Sequence, residues 1–241
     1  MTKPELKGAR IAIIGLGGSQ VDFAINVQNS KTWDEVWVIN SAVSVYHADR
    51  MFMMDPASRY LDTEDAGLQT EVMRRVLPDI PAEIPIYSCV KDERVPAIVE
   101  YPLAEIAGEF ATVYFNNTVS YAIAFALWCR VGHIDFYGID FSYKHNLHFA
   151  EAGRACCEFW ISKCMSEGIM IGAPSSSSLM DNNVELDQKL YGYHRLHDPL
   201  VAIMDNDSRW LICPKSQLNE AVKQHELQFD EAPTAPEPYR G

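Results

Sequence analysis

Short apolar runs alternate with segments of helical periodicity along most of this chain. The first run, from Arg10 to Gly15, is compact, apolar and closed by a glycine, which is typical of a strand buried in a parallel sheet. This alternation predicts an α/β fold built on a doubly wound, mostly parallel sheet. The predicted strands are 10–15, 36–40, 51–55, 84–88, 112–115 and 133–139, and the predicted helices are 19–28, 69–76, 118–131 and 150–168.

The alternation continues without an internal repeat or a low-complexity linker until the last residues. From about Asp230 the chain is acidic and rich in proline, a composition that is typical of disorder. The sequence therefore predicts one domain with a C-terminal extension over residues 1–228, followed by a disordered tail over 229–241.

The net charge of this 241-residue chain and the shortness of its apolar stretches disfavour nucleic acids and membranes as partners. Its 20 Lys+Arg and 33 Asp+Glu give a net charge of −13 without any basic run, which disfavours duplex nucleic acid and anionic membranes as partners. No apolar stretch approaches the roughly 18 residues of a membrane span, and the first residues lack the apolar core of a signal peptide. We therefore expect a cytoplasmic protein without a membrane partner, and a homo-oligomer is compatible with this composition.

A glycine turn follows the first predicted strand, at the kind of position where doubly wound sheets bind ligands. Its motif is Gly15-x-Gly17-Gly18-Ser19, and free N–H groups at the start of the following helix would favour phosphate. The spacing is neither that of a G-x-G-x-x-G turn nor that of a Walker loop, so a tight structural turn is the alternative.

The next two strand ends carry amide, hydroxyl and carboxylate groups. Asn40 and Ser41 end the second strand, where an amide can hold a ribose or a base. Asp55 ends the third apolar run, where its carboxylate could bind Mg²⁺ or a sugar hydroxyl. The alternative for Asp55 is to initiate a turn before Pro56.

A polar segment, Asn116-Asn117-Thr118, precedes a helix that is apolar almost all round. Such a helix is expected to be buried, with its polar start directed at the ligand crevice. Asn117 or Thr118 can act as the N-cap, which explains one of these three polar residues but not all of them.

The last strand of the series ends at Asp140, and Ser142, His145 and His148 follow it. An imidazole suits proton transfer near neutrality, so either histidine could be a general base or a phosphate contact. His145-x-x-His148 with Glu151 could instead ligate a metal, although no further ligand is evident. Ordinary surface histidines are the remaining interpretation.

Taken in order, these motifs resemble those of one superfamily. It contains the bacterial lipooligosaccharide sialyltransferases, the Maf motility-associated glycosyltransferases and the archaeal 6-hydroxymethylpterin diphosphokinases. The resemblance covers about residues 9–180 and is most specific at Gly138-Ile139-Asp140-Phe141. It implies a Rossmann-like fold that binds a nucleotide-activated donor and transfers part of it.

The resemblance also implies roles for individual residues. Asp140 would be the strand-end carboxylate, and His148 is the nearest candidate for the histidine base. The donor's phosphate and ribose would contact Gly15, Gly17, Gly18, Ser19 and Asn40, and its base or transferred group would lie near Asn117 and Thr118.

Amides and hydroxyls outnumber carboxylates at these strand ends, which favours a glycosyltransferase that moves a sugar from a nucleotide-sugar to a hydroxyl acceptor. One alternative is an ATP-dependent pyrophosphoryl transferase, for which Asp49 or Asp55 would hold Mg²⁺. The other is a non-catalytic module that binds and sequesters a nucleotide. The nucleotide donor is the small-molecule partner in all three, and the acceptor is not identified by the sequence.

Overall fold

A seven-stranded parallel sheet forms the centre of the first of two structural units. The computed structural model describes residues 3–142, 146–193, 196 and 198–225, and it divides into residues 1–183 and 184–241. The strands are β1 Arg10–Ile14, β2 Glu35–Ile39, β3 Arg50–Phe52, β4 Ile86–Ser88, β5 Ile98–Glu100, β6 His133–Tyr137 and β7 Met170–Gly172. Their order is β5-β4-β3-β2-β1-β6-β7, and every neighbouring pair is parallel. This confirms the predicted fold class.

Helices cover both faces of the sheet. They are α1 Val21–Gln28, α2 Ala57–Leu61, α3 Leu68–Val76, α4 Leu103–Phe110, α5 Thr118–Cys129 and α6 Leu147–Ser166. Ile11 and Ile13 of β1 pack in one apolar cluster with buried residues of α5 and α6, whereas Ala12 and Ile14 pack in another with Phe23 of α1. Alternate residues of one strand therefore serve two cores, as a doubly wound sheet requires.

The prediction of a strand over 112–115 is wrong. This segment has no regular secondary structure and does not pair with the sheet, and the Val113 side chain is exposed. The carbonyl oxygen of Tyr114 instead accepts a hydrogen bond from Nε1 of Trp160 in α6, at 2.7 Å. Its backbone therefore binds a helix side chain rather than a neighbouring strand.

The second unit contains a β-hairpin and short helices. Its elements are α7 Leu186–Lys189, β8 Leu200–Met204, β9 Trp210–Pro214 and α8 Leu218–Gln224, and β8 pairs with β9 in antiparallel register. The predicted tail, 229–241, lies outside the described residues, so the domain boundary at 228 stays a prediction. Among the helices that the structure describes in both units, none is long and apolar enough to cross a membrane.

The turns after β1 and β6 cross in direct backbone contact. The Gly17 N–H donates to the Gly138 carbonyl at 2.8 Å, and the Gly15 N–H donates to the Tyr137 carbonyl at 2.8 Å. A Cβ at position 15 would lie 2.5 Å from the Gly138 oxygen, well inside van der Waals contact. Glycine is therefore required at position 15 for the two turns to approach each other.

We expect Gly15→Ala to lower the free energy of unfolding by about 2 kcal/mol, because the added methyl group forces these backbones apart. Gly18→Ala is the matched control, since a Cβ at position 18 would meet no atom within 4 Å. Its stability should stay within about 0.5 kcal/mol of the parent. Urea denaturation of the three proteins measures both effects, and equal stability of the two variants would contradict the crowding at position 15.

Candidate functional site

A cleft of about 890 Å³ opens at the carboxyl edge of the sheet, in the size range of small-molecule sites. The turns after β1, β2, β3 and β6 form it together with the starts of α5 and α6. The cleft lies at the edge of the sheet where the strand ends were expected to bind a ligand, and its role as a binding site stays a prediction. The predicted site residues that line it are Gly15, Gly17, Gly18, Asn40, Asp55, Asn116, Asn117, Thr118, Asp140 and Ser142.

Three predicted site residues that the structure describes do not line this cleft. Ser19 is buried behind the glycine turn, and Ser41 lies in a 3-10 turn where its carbonyl accepts from the Ser44 hydroxyl at 2.7 Å. His148 is exposed in the first turn of α6, and its neighbour Phe149 lines the cleft. His145 lies outside the described residues.

Asp140 and Ser19 bind each other beneath the cleft floor. The Asp140 carboxylate accepts the Ser19 backbone N–H at 2.7 Å and the Ser19 hydroxyl at 2.5 Å. The same hydroxyl oxygen accepts the Gly138 N–H at 2.9 Å, and both side chains are over 90% buried. Asp140 therefore joins the turn after β1 to the turn after β6. Donor contact by Ser19 stays a prediction, and it would require breaking part of this network.

The glycine turn has few free hydrogen-bond donors. Gly17 donates its N–H to Gly138, and Ser19 donates its N–H to Asp140. The N–H of Gly18 has no acceptor among the described residues, and Gly18 lines the cleft. The N–H of Leu16, which also lines the cleft, likewise has no acceptor among the described residues, so the backbones of Leu16 and Gly18 are both available to contact a phosphate.

The Asn-Asn-Thr segment both caps helix α5 and lines the cleft. The Asn117 side chain caps α5 by accepting the Ser120 N–H at 3.0 Å, and its amide donates to the Gly153 carbonyl of α6 at 3.1 Å. Asn116 donates to the Ala152 carbonyl at 2.8 Å. The hydroxyl of Thr118 has no hydrogen bond to a described residue, so it is available to a ligand at the start of α5.

Two amide side chains on the cleft wall present buried oxygens without a partner. Asn40 Oδ1 and Gln69 Oε1 are each shielded from solvent and accept no hydrogen bond from the described residues. Asn40 also has a left-handed backbone, with φ of 49°, which asparagine tolerates better than most residues. Because an unsatisfied buried oxygen costs about 1–3 kcal/mol, each amide is expected to turn toward the cleft and accept a hydrogen bond when a ligand occupies it. Sequence patterning had identified Asn40 but not Gln69, which projects from α3.

Asp55 forms an ion pair with Arg59. Its carboxylate accepts from Arg59 Nη1 at 2.7 Å and from the Tyr60 hydroxyl at 3.3 Å. Hydrogen bonding to Asp55 raises the pKa of Arg59, and burial, followed by the Asp55 charge, raises the pKa of Tyr60. Arg59 is the one cationic residue among the described cleft-lining residues, and sequence analysis missed it because it lies on α2, which had not been predicted.

These residues do not form a good Mg²⁺ site. Magnesium prefers carboxylate oxygens and water, and a guanidinium occupies the side of Asp55 where the ion would lie. Asp49, the other predicted ligand, accepts the Val36 N–H at 2.7 Å near the amino end of β2, away from the cleft. No group of three potential ligands occurs among the described residues. Mg²⁺ binding stays a prediction without support from this geometry.

Aromatic side chains form the wall of the cleft beside α5. The rings of Phe115 and Tyr121 stack with centroids 4.4 Å apart, and Phe115 stacks on Trp160 of α6 at 4.9 Å. Burial raises the pKa of Tyr121, so its phenol stays neutral at physiological pH. Phe115 and Tyr121 line the cleft with Phe141 and offer flat apolar surface to a base or a sugar ring.

We expect Ser19→Ala to lower the free energy of unfolding by about 2 kcal/mol, because it removes a bond to a carboxylate and leaves the Gly138 N–H unpaired. Ser166→Ala is the matched control, since that exposed hydroxyl bonds only the Lys163 carbonyl of its own helix. Chemical denaturation at pH 7 separates the two variants. A Ser19→Ala protein as stable as the control would show that the contact with Asp140 contributes little.

Comparisons with known proteins found no matching family model and no matching curated protein. Two solved structures of the sialyltransferase CstII from Campylobacter jejuni are similar to the chain. The complex with the substrate analogue CMP-3FNeuAc has a TM-score of 0.45 and 17% identity, over 90% of this chain and 98% of that chain. The complex with cytidine-5'-monophosphate has a TM-score of 0.42 and 15% identity, over 90% and 99%. Likenesses of this size assign no function, and the resemblances to Maf glycosyltransferases and pterin diphosphokinases stay predictions.

Proposed function

We propose that this protein is a glycosyltransferase that binds a nucleotide-sugar in the cleft and transfers the sugar to a hydroxyl acceptor. The observation that carries the proposal is the pair of unpartnered, buried amide oxygens, on Asn40 and Gln69, in a cleft of nucleotide-sugar size. Buried acceptor oxygens favour ligands rich in O–H and N–H donors, which are the groups that sugars, ribose and amino-substituted bases supply.

The donor phosphate has several candidate contacts at the cleft. The Gly18 N–H is unpaired within the described turn, and Thr118 offers its hydroxyl at the first residue of the twelve-residue helix α5. The N-terminus of such a helix carries unpaired N–H groups and a partial positive charge, both of which favour phosphate. Arg59 adds a cation on the wall, although Asp55 neutralises part of its charge.

The proposed reaction is attack of an acceptor hydroxyl on the anomeric carbon of the donor sugar. The new carbon–oxygen bond forms as the bond to the donor phosphate breaks, and the nucleotide leaves with that phosphate oxygen. The acceptor oxygen loses its proton to a base, for which we propose the imidazole of His148 at the start of α6. In this proposal Asp140 positions the turns around the cleft and holds Ser19, so it does not take the proton.

Binding is tested with a panel of nucleotides and nucleotide-sugars in thermal unfolding. A ligand at 100 times its Kd should stabilise the fold by about 2.7 kcal/mol, which raises Tm by several degrees. We expect Asn40→Ala and Gln69→Ala each to weaken binding of the best ligand about tenfold, through loss of a hydrogen bond. The exposed Asn29→Ala is the control and should bind like the parent. If no member of the panel stabilises the protein, the donor proposal is wrong.

Turnover is tested with His148→Ala and the donor that binds. We expect kcat to fall by about 10²–10⁴ while donor affinity changes no more than a few-fold, because the base acts on the acceptor. His47→Ala removes another exposed histidine away from the described cleft and should keep the parent kcat. Full activity of His148→Ala would exclude this base. Nucleotide binding without transfer to any hydroxyl acceptor would instead support the sequestering module.

A further inference from the structure

One face of the β8–β9 hairpin is formed entirely by residues without charge. Because successive strand residues point to opposite faces, the directly opposed pairs Leu200–Pro214, Ala202–Ile212 and Met204–Trp210 share one face. We call this surface the outer hairpin face, and it consists of Leu200, Ala202, Met204, Trp210, Ile212 and Pro214.

The outer hairpin face is open in the structure, whereas the opposite face is partly covered. Leu200 is 72% exposed, Trp210 67% and Ile212 66%. On the other side Cys213 is buried, as is Leu218, the first residue of α8, which packs against β9. Among the described residues of this unit, no element covers the outer face.

Although α8 packs on one side of the hairpin, the apolar face on the other side stays open to water. Contiguous exposed apolar patches of this kind usually mark an interface. Asp205 accepts the backbone N–H groups of Asp207 at 3.0 Å and Arg209 at 2.8 Å in the turn that joins the strands, and these bonds fix the geometry of the turn.

We propose that the outer hairpin face is a dimerisation surface and that its occupant is the same face of a second copy of this chain. A two-fold axis through the Ala202–Ile212 pair would place the Met204–Trp210 end of one hairpin on the Leu200–Pro214 end of the other. The large Trp210 ring of one copy then lies opposite the smaller Leu200 and Pro214 side chains of the other. The small Ala202 side chain allows the two faces to approach closely at the axis. The face is self-complementary in this sense, as an isologous interface requires.

Charge and area favour a second copy over an anionic membrane. The membrane is opposed by the net charge of −13 and by the lack of any Lys or Arg among the six residues. Two copies meet at this face without burying a charge, although the net charge of each chain opposes their approach at low salt. Six such side chains present on the order of 500 Å² per copy, so pairing would bury about 1,000 Å² in total, near the lower bound of specific interfaces. The dimer should therefore be weak, and it should be tighter at higher salt.

Sedimentation equilibrium of the full chain between about 1 and 200 µM tests the association, together with tryptophan fluorescence. Trp210 is the one exposed tryptophan of the five, so a change in the exposure of tryptophan on dimerisation is expected to come from Trp210. We expect a monomer–dimer equilibrium in which emission shifts to shorter wavelength as concentration rises, because Trp210 leaves water. Ala202→Glu should raise Kd at least about 30-fold, since the two introduced carboxylates would meet at the axis. Ile212→Thr, which retains a strand-forming residue, should raise Kd several-fold by removing apolar area.

Met170→Glu is the matched control, because Met170 is a 63%-exposed apolar strand residue that lies in β7, off the outer hairpin face. It should dimerise like the parent. A parent chain that stays monomeric to 200 µM would overturn the proposal, and so would a dimer whose Kd neither Ala202→Glu nor Ile212→Thr changes. These outcomes are independent of nucleotide binding, so they leave the donor proposal untouched.

Discussion

The contact between the turns after β1 and β6 determines the shape of the candidate site. Three glycines allow the two backbones to touch, and the Asp140 carboxylate then joins them by accepting the N–H and the hydroxyl of Ser19. This contact closes the floor of the cleft between β1 and β6, where the order of the strands along the sheet changes direction. The spacing between the cleft-lining groups of the turns after β1 and β6 depends on this contact.

The same contact explains which polar groups remain for a ligand. Asp140, Ser19 and the Gly17 N–H are all occupied within the fold, whereas the Gly18 N–H, the Thr118 hydroxyl and the oxygens of Asn40 and Gln69 have no partner among the described residues. Polar character at a strand end therefore does not distinguish the two roles. A strand-end group is available to a ligand only if no other segment of the chain already forms a hydrogen bond with it.

Much of this architecture was predictable because buried parallel strands leave continuous apolar runs, as at β1 and β2. Strands β3, β4, β5 and β7 each pair over three residues, and of these only β3 and β4 lie in apolar runs that were predicted as strands, 51–55 and 84–88. Residues 112–115 have strand composition but bind Trp160 instead. Strand-end residues of the site were predictable from topology alone. Arg59 and Gln69 were not, because their approach to the cleft depends on how α2 and α3 pack.

The two asparagines that precede α5 also hold this helix against α6. Asn116 and Asn117, which directly precede α5, donate to successive carbonyls of α6, at Ala152 and Gly153. The ring of Phe115 stacks on Trp160 of α6 beside these bonds. The packing of α5 against α6 on that side of the cleft therefore depends on side-chain amides as well as on apolar contacts, so a change in either asparagine would alter the helix interface and not only the lining of the cleft.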